Sequence, residues 1–159
     1  MATPGDTRPR QPGWFLRHVA NPVVSILVRL GVMPARIQLL CVAGRRSGRV
    51  QAVPLTPVDL GGKTYLVSPR GEMAWVQNLR AAGKAELRQG RRMRRITARE
   101  LPVYERAAVL RQYVRENRVA AGGSFTAKGA DATLSDFADE AERHPVFAVS
   151  FTDVADRRR

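Results

Sequence analysis

Residues that form disulfides and metal cages are almost absent from this chain. Its 159 residues include one cysteine, Cys41, and two histidines, His18 and His144, which are far apart in the sequence. A single cysteine excludes an intramolecular disulfide framework, and these three residues are too few for a Cys/His metal site. Residues 1–13 also lack the apolar run of a signal peptide. We therefore expect a protein without a metal centre that resides in the cytoplasm.

The motifs of nucleophilic catalysis are missing as well. None of the serines lies in a Gly-x-Ser-x-Gly elbow, and neither histidine has the sequence context of a catalytic triad. Cys41 lies within an apolar run, which favours a buried hydrophobic role over a reactive thiolate. The sequence thus indicates no catalytic residue, and an enzyme of this kind would rely on a cofactor for its chemistry.

Acidic residues are scarce in comparison with basic ones. The chain has 14 Asp and Glu against 27 Lys and Arg, which gives a formal net charge of +13. Of the basic residues, 24 are arginine and three are lysine. Arginine binds phosphates and carboxylates through a planar fork and keeps its charge. The excess predicts an anionic partner, which is a phosphorylated cofactor, a nucleic acid or an acidic membrane surface.

The length of the chain suits a single domain. Three prolines and two glycines without apolar periodicity predict a flexible N-terminal arm over residues 1–13. One domain is expected over residues 14–152, and a polar tail over residues 153–159. Within this domain, residues 14–31 are strongly apolar, and Asn21-Pro22 is a typical helix start. A helix of about nine residues is far shorter than the roughly 20 that cross a bilayer, so it packs on the core or makes a peripheral membrane contact.

Most of the remaining sequence predicts short strands joined by hairpins. The predicted strands cover residues 37–43, 50–60 (with an edge or bulge at its prolines), 64–67, 85–89, 93–99 and 145–151. Gly61-Gly62 and Gly90 are hairpin signals. The predicted helices are the one after Pro22, one from about residue 72 to Gly83, one over residues 101–119, and one from the capping pair Thr133 and Asp136 to residue 143. About six strands without regular alternation with helices indicate an antiparallel, barrel-like α+β domain.

The loop GRRSGR at residues 44–49 lies between two predicted strands. Its glycines permit tight turns, and its arginines, serine hydroxyl and backbone amides are the groups that surround a phosphate. The spacing matches neither a Walker loop nor a dinucleotide fingerprint. The loop is therefore either an anion-binding loop or an exposed basic hairpin.

Two further segments carry candidate functional residues. Residues 68–72 lead into a helix that contains Trp75 and Asn78, and a helix start of this kind suits an anion, although Trp75 also fits as a core residue. Residues 91–95 contain four arginines, but no aromatic residue interrupts them for base stacking, and no nucleic-acid-binding signature accompanies them. A solvated basic hairpin is the simpler interpretation of the second segment.

Three stretches, taken in order, resemble the deazaflavin-dependent nitroreductase family. They are GRRSGRVQAVPL at residues 44–55, GGKTYLVSPRG at residues 61–71 and AWVQNLRAAGKAELR at residues 74–88. Members are also described as quinone reductases that use the reduced coenzyme F-420. The resemblance implies an α+β fold, an antiparallel split β-barrel of about six strands with peripheral helices. It also implies a reductase that transfers a hydride from reduced F-420 to a quinone, enone or nitro-type acceptor.

The resemblance also implies a cofactor site. Arg45, Arg46 and Ser47 match the family's loop for the coenzyme's phosphate and glutamate tail. Family members often carry Pro-Arg shortly after the loop, where this chain has Val50-Gln51, and Arg49 is the residue that could substitute.

The other implied site residues lie at the end of the third predicted strand and in the turn and helix that follow it. Backbone groups around Val67 and Ser68 are expected near the deazaflavin ring, with amides near Ser68 orienting it. Arg70 matches a basic residue of the family, and Trp75 and Asn78 match the helix that follows.

Two other classes of function stay open. One is a split-barrel protein that binds FMN, haem or a fatty acid without catalysis, and the other is a nucleic-acid or membrane-surface binder that uses residues 91–95. For the reductase, the expected partner is a small-molecule acceptor, and no specific nucleic acid is expected. A homodimer is also expected, because a barrel with exposed edges favours pairing with a second copy of the chain. Tyr104 and Tyr113 are candidates for a hydroxyl on the substrate side.

Overall fold

The computed structural model describes residues 36–127, 129 and 131–152. Within them the strands are β1 (Gln38–Ala43), β2 (Val50–Leu55), β3 (Val58–Leu60), β4 (Lys63–Val67), β5 (Lys84–Gln89), β6 (Arg92–Glu100) and β7 (Val146–Thr152). The α-helices of the described residues are α1 (Ala74–Ala82), α2 (Ala107–Glu116), α3 (Arg118–Ala121) and α4 (Leu134–Glu140), with 3-10 turns at Val103–Glu105 and Ala141–Arg143. The predicted arm, the segment 14–31 and the predicted tail lie outside the described residues.

The strands form one antiparallel sheet in the order β2-β1-β5-β6-β7-β4-β3. The two edge strands, β2 and β3, are consecutive in the chain, and only Thr56 and Pro57 separate them. Three backbone steps from Leu55 to Val58 reach at most about 11 Å. The two edges of the sheet therefore lie close together, and the sheet must curl into a barrel.

The predicted strand over residues 50–60 is two strands, so the described part of the chain has seven strands instead of about six. Pro57 has no N–H to donate to a ladder, which favours a break at this position. After the break the chain changes neighbours, since β2 pairs with β1 and β3 pairs with β4. Pro54 remains within β2, where an edge strand tolerates it.

The inner face of the barrel packs around helix α1. Its buried side chains come from five strands and this helix: Leu40, Val42, Leu66, Leu87, Ile96, Phe147, Val149, Trp75, Val76 and Leu79. Trp75 lies against Phe147, with ring centroids 6.0 Å apart. A single core shared by β1 and β4, which are far apart in the sheet order, requires the curl. The predicted α+β antiparallel split barrel is confirmed.

Helices α2 and α4 cover the outer face of the β3, β4 and β7 region. Buried residues from both layers form a second core: Val58, Val67, Val146, Leu110, Val114 and Phe137 are among them. The predicted helix over residues 101–119 is wrong in its extent, because it divides into a 3-10 turn, α2 and α3. Asn117 ends α2 with φ −125° and ψ 45°, and its side-chain Nδ2 donates to the Tyr113 carbonyl at 3.0 Å. Val103, in the 3-10 turn, is 39% exposed.

Glycines and a capping pair define several element ends where the sequence predicts them. Gly61 and Gly62 have φ of 59° and 74° in the β3–β4 turn, and Gly83 ends α1 in the left-handed conformation. Helix α1 begins at Ala74, two residues later than predicted. Thr133 and Asp136 form the predicted capping box of α4.

Candidate functional site

The basic loop, residues 44–49, is a tight turn between β1 and β2. The Gly44 N–H donates to the Arg49 carbonyl, and the Gly48 N–H donates to the Gly44 carbonyl, each at 2.8 Å. Gly48 has a φ of 68°, and the Arg49 N–H donates to Ser47 Oγ at 3.2 Å. A Cβ at Gly44 would lie 2.9 Å from Ser47 Oγ and 3.3 Å from the Arg49 carbonyl oxygen, so a larger residue would displace the Ser47 hydroxyl. The loop is therefore held in one shape by its own backbone.

The arginines of the basic loop are exposed and are not neutralised by the protein. Arg45, Arg46 and Arg49 are all exposed. No carboxylate among the described residues lies within ion-pair distance of their guanidinium groups. Three unpaired positive charges on a rigid turn favour an anionic ligand.

Asn78, a buried residue of α1, ties the basic loop to the barrel. Its Oδ1 accepts from the Arg45 backbone N–H at 3.1 Å and from Arg45 Nη1 at 3.2 Å. Its Nδ2 donates to Gln51 Oε1 at 3.0 Å. The Asn78 amide thus uses both of its ends to fix the position of the loop and the start of β2.

A cleft of about 510 Å³ opens where β2 and β4 end. Its walls are largely apolar, with a few polar groups: Ile37, Val53, Pro54, Leu55, Thr56, Val67, Ser68, Pro69, Arg70, Met73, Trp75 and Tyr113. This size and mixture are typical of sites for small molecules and cofactors. Trp75 is 6% exposed, so its ring belongs to the core and also presents a small face to the cleft.

Ser68 and Gly71 shape the turn at the edge of the cleft. The Ser68 N–H donates to the Pro145 carbonyl at 2.9 Å, and Ser68 Oγ donates to the Gly71 carbonyl at 2.6 Å. Gly71 has a φ of 79°, and a Cβ at this position would lie 3.2 Å from the Arg143 carbonyl oxygen. Of the amides near Ser68 that are expected to orient a ligand, the Ser68 N–H itself is already bonded within the protein. Ser68 contributes to the wall by its position.

Tyr113 of α2 is one of the residues that line the cleft. It is 6% exposed, and its ring packs on Phe125 with centroids 5.9 Å apart. Burial raises the pKa of the Tyr113 hydroxyl above its ordinary value, and the positive charge of Arg70 opposes this shift. Tyr104, the other candidate, is 84% exposed and does not line the cleft.

Strand β2 and helix α1 connect the basic loop to the cleft. Every second residue of β2 lies on one face, and this face carries Gln51, Val53 and Leu55. The strand therefore leads from Gln51, the partner of Asn78, to Leu55 in the cleft wall over about 13 Å. On the other side, Trp75 and Asn78 are three residues apart in α1, which is a rise of about 4.5 Å. An elongated ligand with an anionic end and an apolar end matches this arrangement.

The arginines at residues 91–95 lie apart from this site. Arg94 stacks on the Phe151 ring at 3.3 Å from its centroid. Arg88 and Arg95 lie 3.7 and 3.9 Å from Glu86 carboxylate oxygens. The protein's own groups thus engage part of this cluster, which fits its interpretation as a basic hairpin.

The described residues contain neither a metal-binding cluster nor a membrane-spanning helix. No group of three or more His, Cys, Asp or Glu residues there could hold a metal ion. No helix within those residues is long and apolar enough to span a membrane.

The fold and the site define a class of protein, a split barrel with a cleft and a basic loop for an elongated anionic cofactor. Residues 30–134, more than half of the chain, match the model of the F420H(2)-dependent quinone reductase family. The chain belongs to this family, and the protein is an F420-dependent oxidoreductase. The predicted family, cofactor and enzyme class are confirmed.

Solved structures with a similar fold have low sequence identity to this chain. An F420-H2-dependent reductase, FDR-A, is 25% identical with a TM-score of 0.49, over 75% of this chain and 97% of that chain. A chain described as a domain-swapped dimer is 22% identical with a TM-score of 0.48, over 88% of this chain and 100% of that chain. HutZ, the heme storage protein from Vibrio cholerae, is 8% identical with a TM-score of 0.46, over 83% of this chain and 89% of that chain. A comparison with curated proteins finds no match.

The residues present fit the cofactor of the family. A phosphate and glutamate tail needs free cationic donors, which the exposed arginines of the basic loop supply, and a planar ring needs an apolar slot, which the cleft supplies. Val67, Ser68, Arg70 and Trp75 line the cleft, whereas the remaining predicted residues form the basic loop and its support: Arg45, Arg46, Ser47, Arg49 and Asn78.

Sequence reasoning missed several residues of this site. Gln51 was noted only as a departure from the family pattern, yet it bonds to Asn78. Val53 and Leu55 lie in the cleft wall, and their alternation with Gln51 was the signal that could have found them. Ile37 and Met73 carried no comparable signal.

Proposed function

We propose that this protein transfers a hydride from reduced F420 to a conjugated acceptor, of which a quinone or an enone is the preferred kind and a nitro compound another. The connection of the basic loop to the cleft through β2 and α1 is the observation that carries this proposal. Both β2 and α1 connect the two parts, so one elongated molecule reaches from the exposed arginines to the apolar slot.

The basic loop binds the anionic tail. Arg46 and Arg49 are free to form charge-assisted hydrogen bonds with phosphate or carboxylate oxygens, and Arg45 adds its charge while Asn78 holds its backbone. Ser47 Oγ accepts from the Arg49 N–H, so its own hydrogen remains for the ligand.

The cleft holds the ring and the acceptor together. The bound cofactor supplies the hydride, and the protein supplies binding, orientation and exclusion of water. Val67 and Trp75 form an apolar wall for a planar ring, Arg70 adds a positive charge at the rim, and Val53, Leu55 and Met73 extend the apolar surface. An apolar slot of this kind favours flat, conjugated acceptors over sugars or charged metabolites.

A binding titration with a charge-matched control tests the role of the basic loop. Binding of F420 is followed through quenching of Trp75 fluorescence in the wild type, Arg46→Gln and Arg91→Gln. Both variants lose one positive charge, but Arg91 lies in the β5–β6 turn, beyond the end of β1 opposite to the basic loop. We expect Arg46→Gln to weaken binding about tenfold, as for loss of one charge-assisted hydrogen bond, and Arg91→Gln to bind as the wild type does.

The same titration with FMN, at two salt concentrations, separates the alternatives. FMN lacks the glutamate tail, so it should bind more weakly than F420 and should depend less on Arg46. Equal weakening by both charge variants would mean that only general attraction acts. If reduced F420 is not oxidised by any quinone, enone or nitro acceptor, the proposed reaction is refuted.

The assembly and location of the protein complete the proposal. The outer edges of β2 and β3 carry unpaired backbone groups that a second copy could cover, which supports a homodimer. Free Cys41 supports a reducing compartment, and we place the enzyme in the cytoplasm. Light scattering of the purified protein tests the first statement, and fractionation of cells tests the second.

A further inference from the structure

We propose that Tyr113 is a catalytic acid that binds the carbonyl oxygen of the acceptor and donates a proton to it. This inference rests on the proposed function and adds to it the group that completes the reduction.

Tyr113 lines the cleft, and its hydroxyl has no hydrogen-bond partner among the described residues. The side chain is 6% exposed and lines the cleft, and no described residue forms a hydrogen bond with its hydroxyl. The Oη atom is not fully enclosed by the protein, so a molecule in the cleft can reach it. Packing against Phe125 fixes the ring, and the Asn117 side chain binds the Tyr113 carbonyl, so the hydroxyl is held in place by its surroundings.

Other hydroxyl groups of the cleft are less suited to this role. Ser68 Oγ already donates to the Gly71 carbonyl. Thr56 is an aliphatic alcohol, which is a far weaker acid than a phenol. Trp75 has only an indole N–H, which donates hydrogen bonds but does not release a proton near neutral pH. Tyr113 is thus the titratable hydroxyl in the described lining of the cleft.

The position of Tyr113 agrees with the side of the site that the acceptor would use. The basic loop and Asn78 define the end for the anionic tail, whereas Tyr113 lines the largely apolar cleft in which the acceptor would lie. Arg70 is close enough to act electrostatically on Tyr113, and its charge stabilises negative charge that develops on the acceptor oxygen.

The proton balances the reaction. The hydride that bound reduced F420 would supply, with its electron pair, would form a bond to the conjugated acceptor and leave an oxyanion on it. The Tyr113 O–H bond breaks and its proton joins that oxygen, so a quinone becomes a hydroquinone or an enone becomes an enol. The phenolate then takes a proton from solvent, and the oxidised coenzyme releases its second hydrogen as a proton to solvent.

Kinetics of Tyr113→Phe with menadione as the acceptor test this step. Phenylalanine keeps the ring, its burial and its contact with Phe125, so we expect an unchanged melting temperature and unchanged F420 affinity. We expect kcat to fall about 100-fold, the lower end for general acid catalysis, because water can enter the cleft. The solvent deuterium isotope effect on kcat should change, because solvent replaces the phenol as the proton donor, and a purely structural role would not cause this change. Tyr104→Phe, an exposed control, should behave as the wild type does.

A binding measurement gives a readout that does not depend on turnover. Menadione is titrated into the protein without coenzyme, and Trp75 quenching reports its affinity. Loss of one hydrogen bond to the carbonyl predicts about fivefold weaker binding to Tyr113→Phe than to the wild type or Tyr104→Phe. Equal affinity in all three proteins would overturn the proposal, even if the wild type failed to reduce menadione and so refuted the proposed function.

Two further outcomes are decisive. If the wild type is active and Tyr113→Phe keeps kcat within twofold with its isotope effect intact, Tyr113 is not the acid. If Tyr113→Phe does not fold, 3-fluorotyrosine at this position keeps the hydroxyl and lowers its pKa. It should then change the solvent isotope effect, and an unchanged value would also overturn the proposal.

Discussion

Asn78 joins the basic loop to the barrel, so Asn78→Leu should affect both stability and cofactor binding. The substitution keeps a side chain of similar size but removes three hydrogen bonds, two with Arg45 and one with Gln51. At about 1 kcal/mol each, their loss costs about 3 kcal/mol, and burial of the leucine recovers about 1 kcal/mol of it. The net loss of about 2 kcal/mol corresponds to a fall in melting temperature of about 4–8 °C for a chain of this size.

The measurement compares Asn78→Leu with Gln77→Leu. Gln77 precedes Asn78 in α1, is half-buried, and its side chain has no hydrogen bond with another described residue. Calorimetry gives the melting temperature, and fluorescence titration gives the F420 affinity. We expect Gln77→Leu to be close to the wild type in both, and Asn78→Leu to bind F420 about tenfold more weakly, as if one charge-assisted bond were lost.

The result that would refute this reasoning is equality of the two variants. If Asn78→Leu had the same melting temperature as Gln77→Leu and bound F420 equally well, the loop would keep its shape without Asn78. The hydrogen bonds within residues 44–49 would then be sufficient to position the arginines. A loss of stability without a loss of affinity would separate the structural role of Asn78 from any role in the cofactor site.

Two other predictions concern the turn at the cleft and the acid limit of stability. Gly71→Ala should lower the melting temperature more than Gly90→Ala. Both glycines have a positive φ, which costs about 1 kcal/mol for alanine, but only a Cβ at residue 71 would contact backbone, at 3.2 Å from the Arg143 carbonyl oxygen. Equal losses in a thermal melt would contradict the close approach. Burial raises the pKa of Glu140, but hydrogen bonds from the Ala127 and Thr126 backbone and from His144 outweigh it, so the net pKa is lowered. The stabilisation of the fold by ionised Glu140 is fully present above the usual carboxyl range and is lost as the pH falls through the lowered pKa. The free energy of unfolding of Glu140→Gln should therefore fall less steeply than that of the wild type in denaturant melts from pH 7 to 3.

Several features of the fold follow from short stretches of sequence. Glycines with positive φ set the β3–β4 turn and the end of α1, and these positions are readable because other residues rarely adopt that conformation. The capping box of α4 is readable because Thr133 and Asp136 are three residues apart, which is the spacing that reciprocal hydrogen bonds need. Alternating apolar residues likewise predict most of the strands, because successive side chains point to opposite faces.

The basic loop was also readable as a candidate site, since its charge, serine and glycines are adjacent in the chain. The resemblance to a known family then supplied the order of the three stretches, and the match of residues 30–134 supports it. The fit of Trp75 and Asn78 to the same site follows from helical spacing once the helix is placed. These are local or nearly local relations, which the sequence carries directly.

The tertiary structure decided what depends on distant parts of the chain. The break at Pro57 was visible, but its consequence was not: β2 and β3 go to opposite edges of the sheet, and the curl brings those edges together at the cleft. The partnership of Asn78 with Gln51 joins residues 27 positions apart. Tyr113 and Arg70 line the same cleft only because α2 packs on the face of β3 and β4. Local patterns determine turns, strands and charge, whereas the cleft arises from long-range packing that no short stretch of sequence contains.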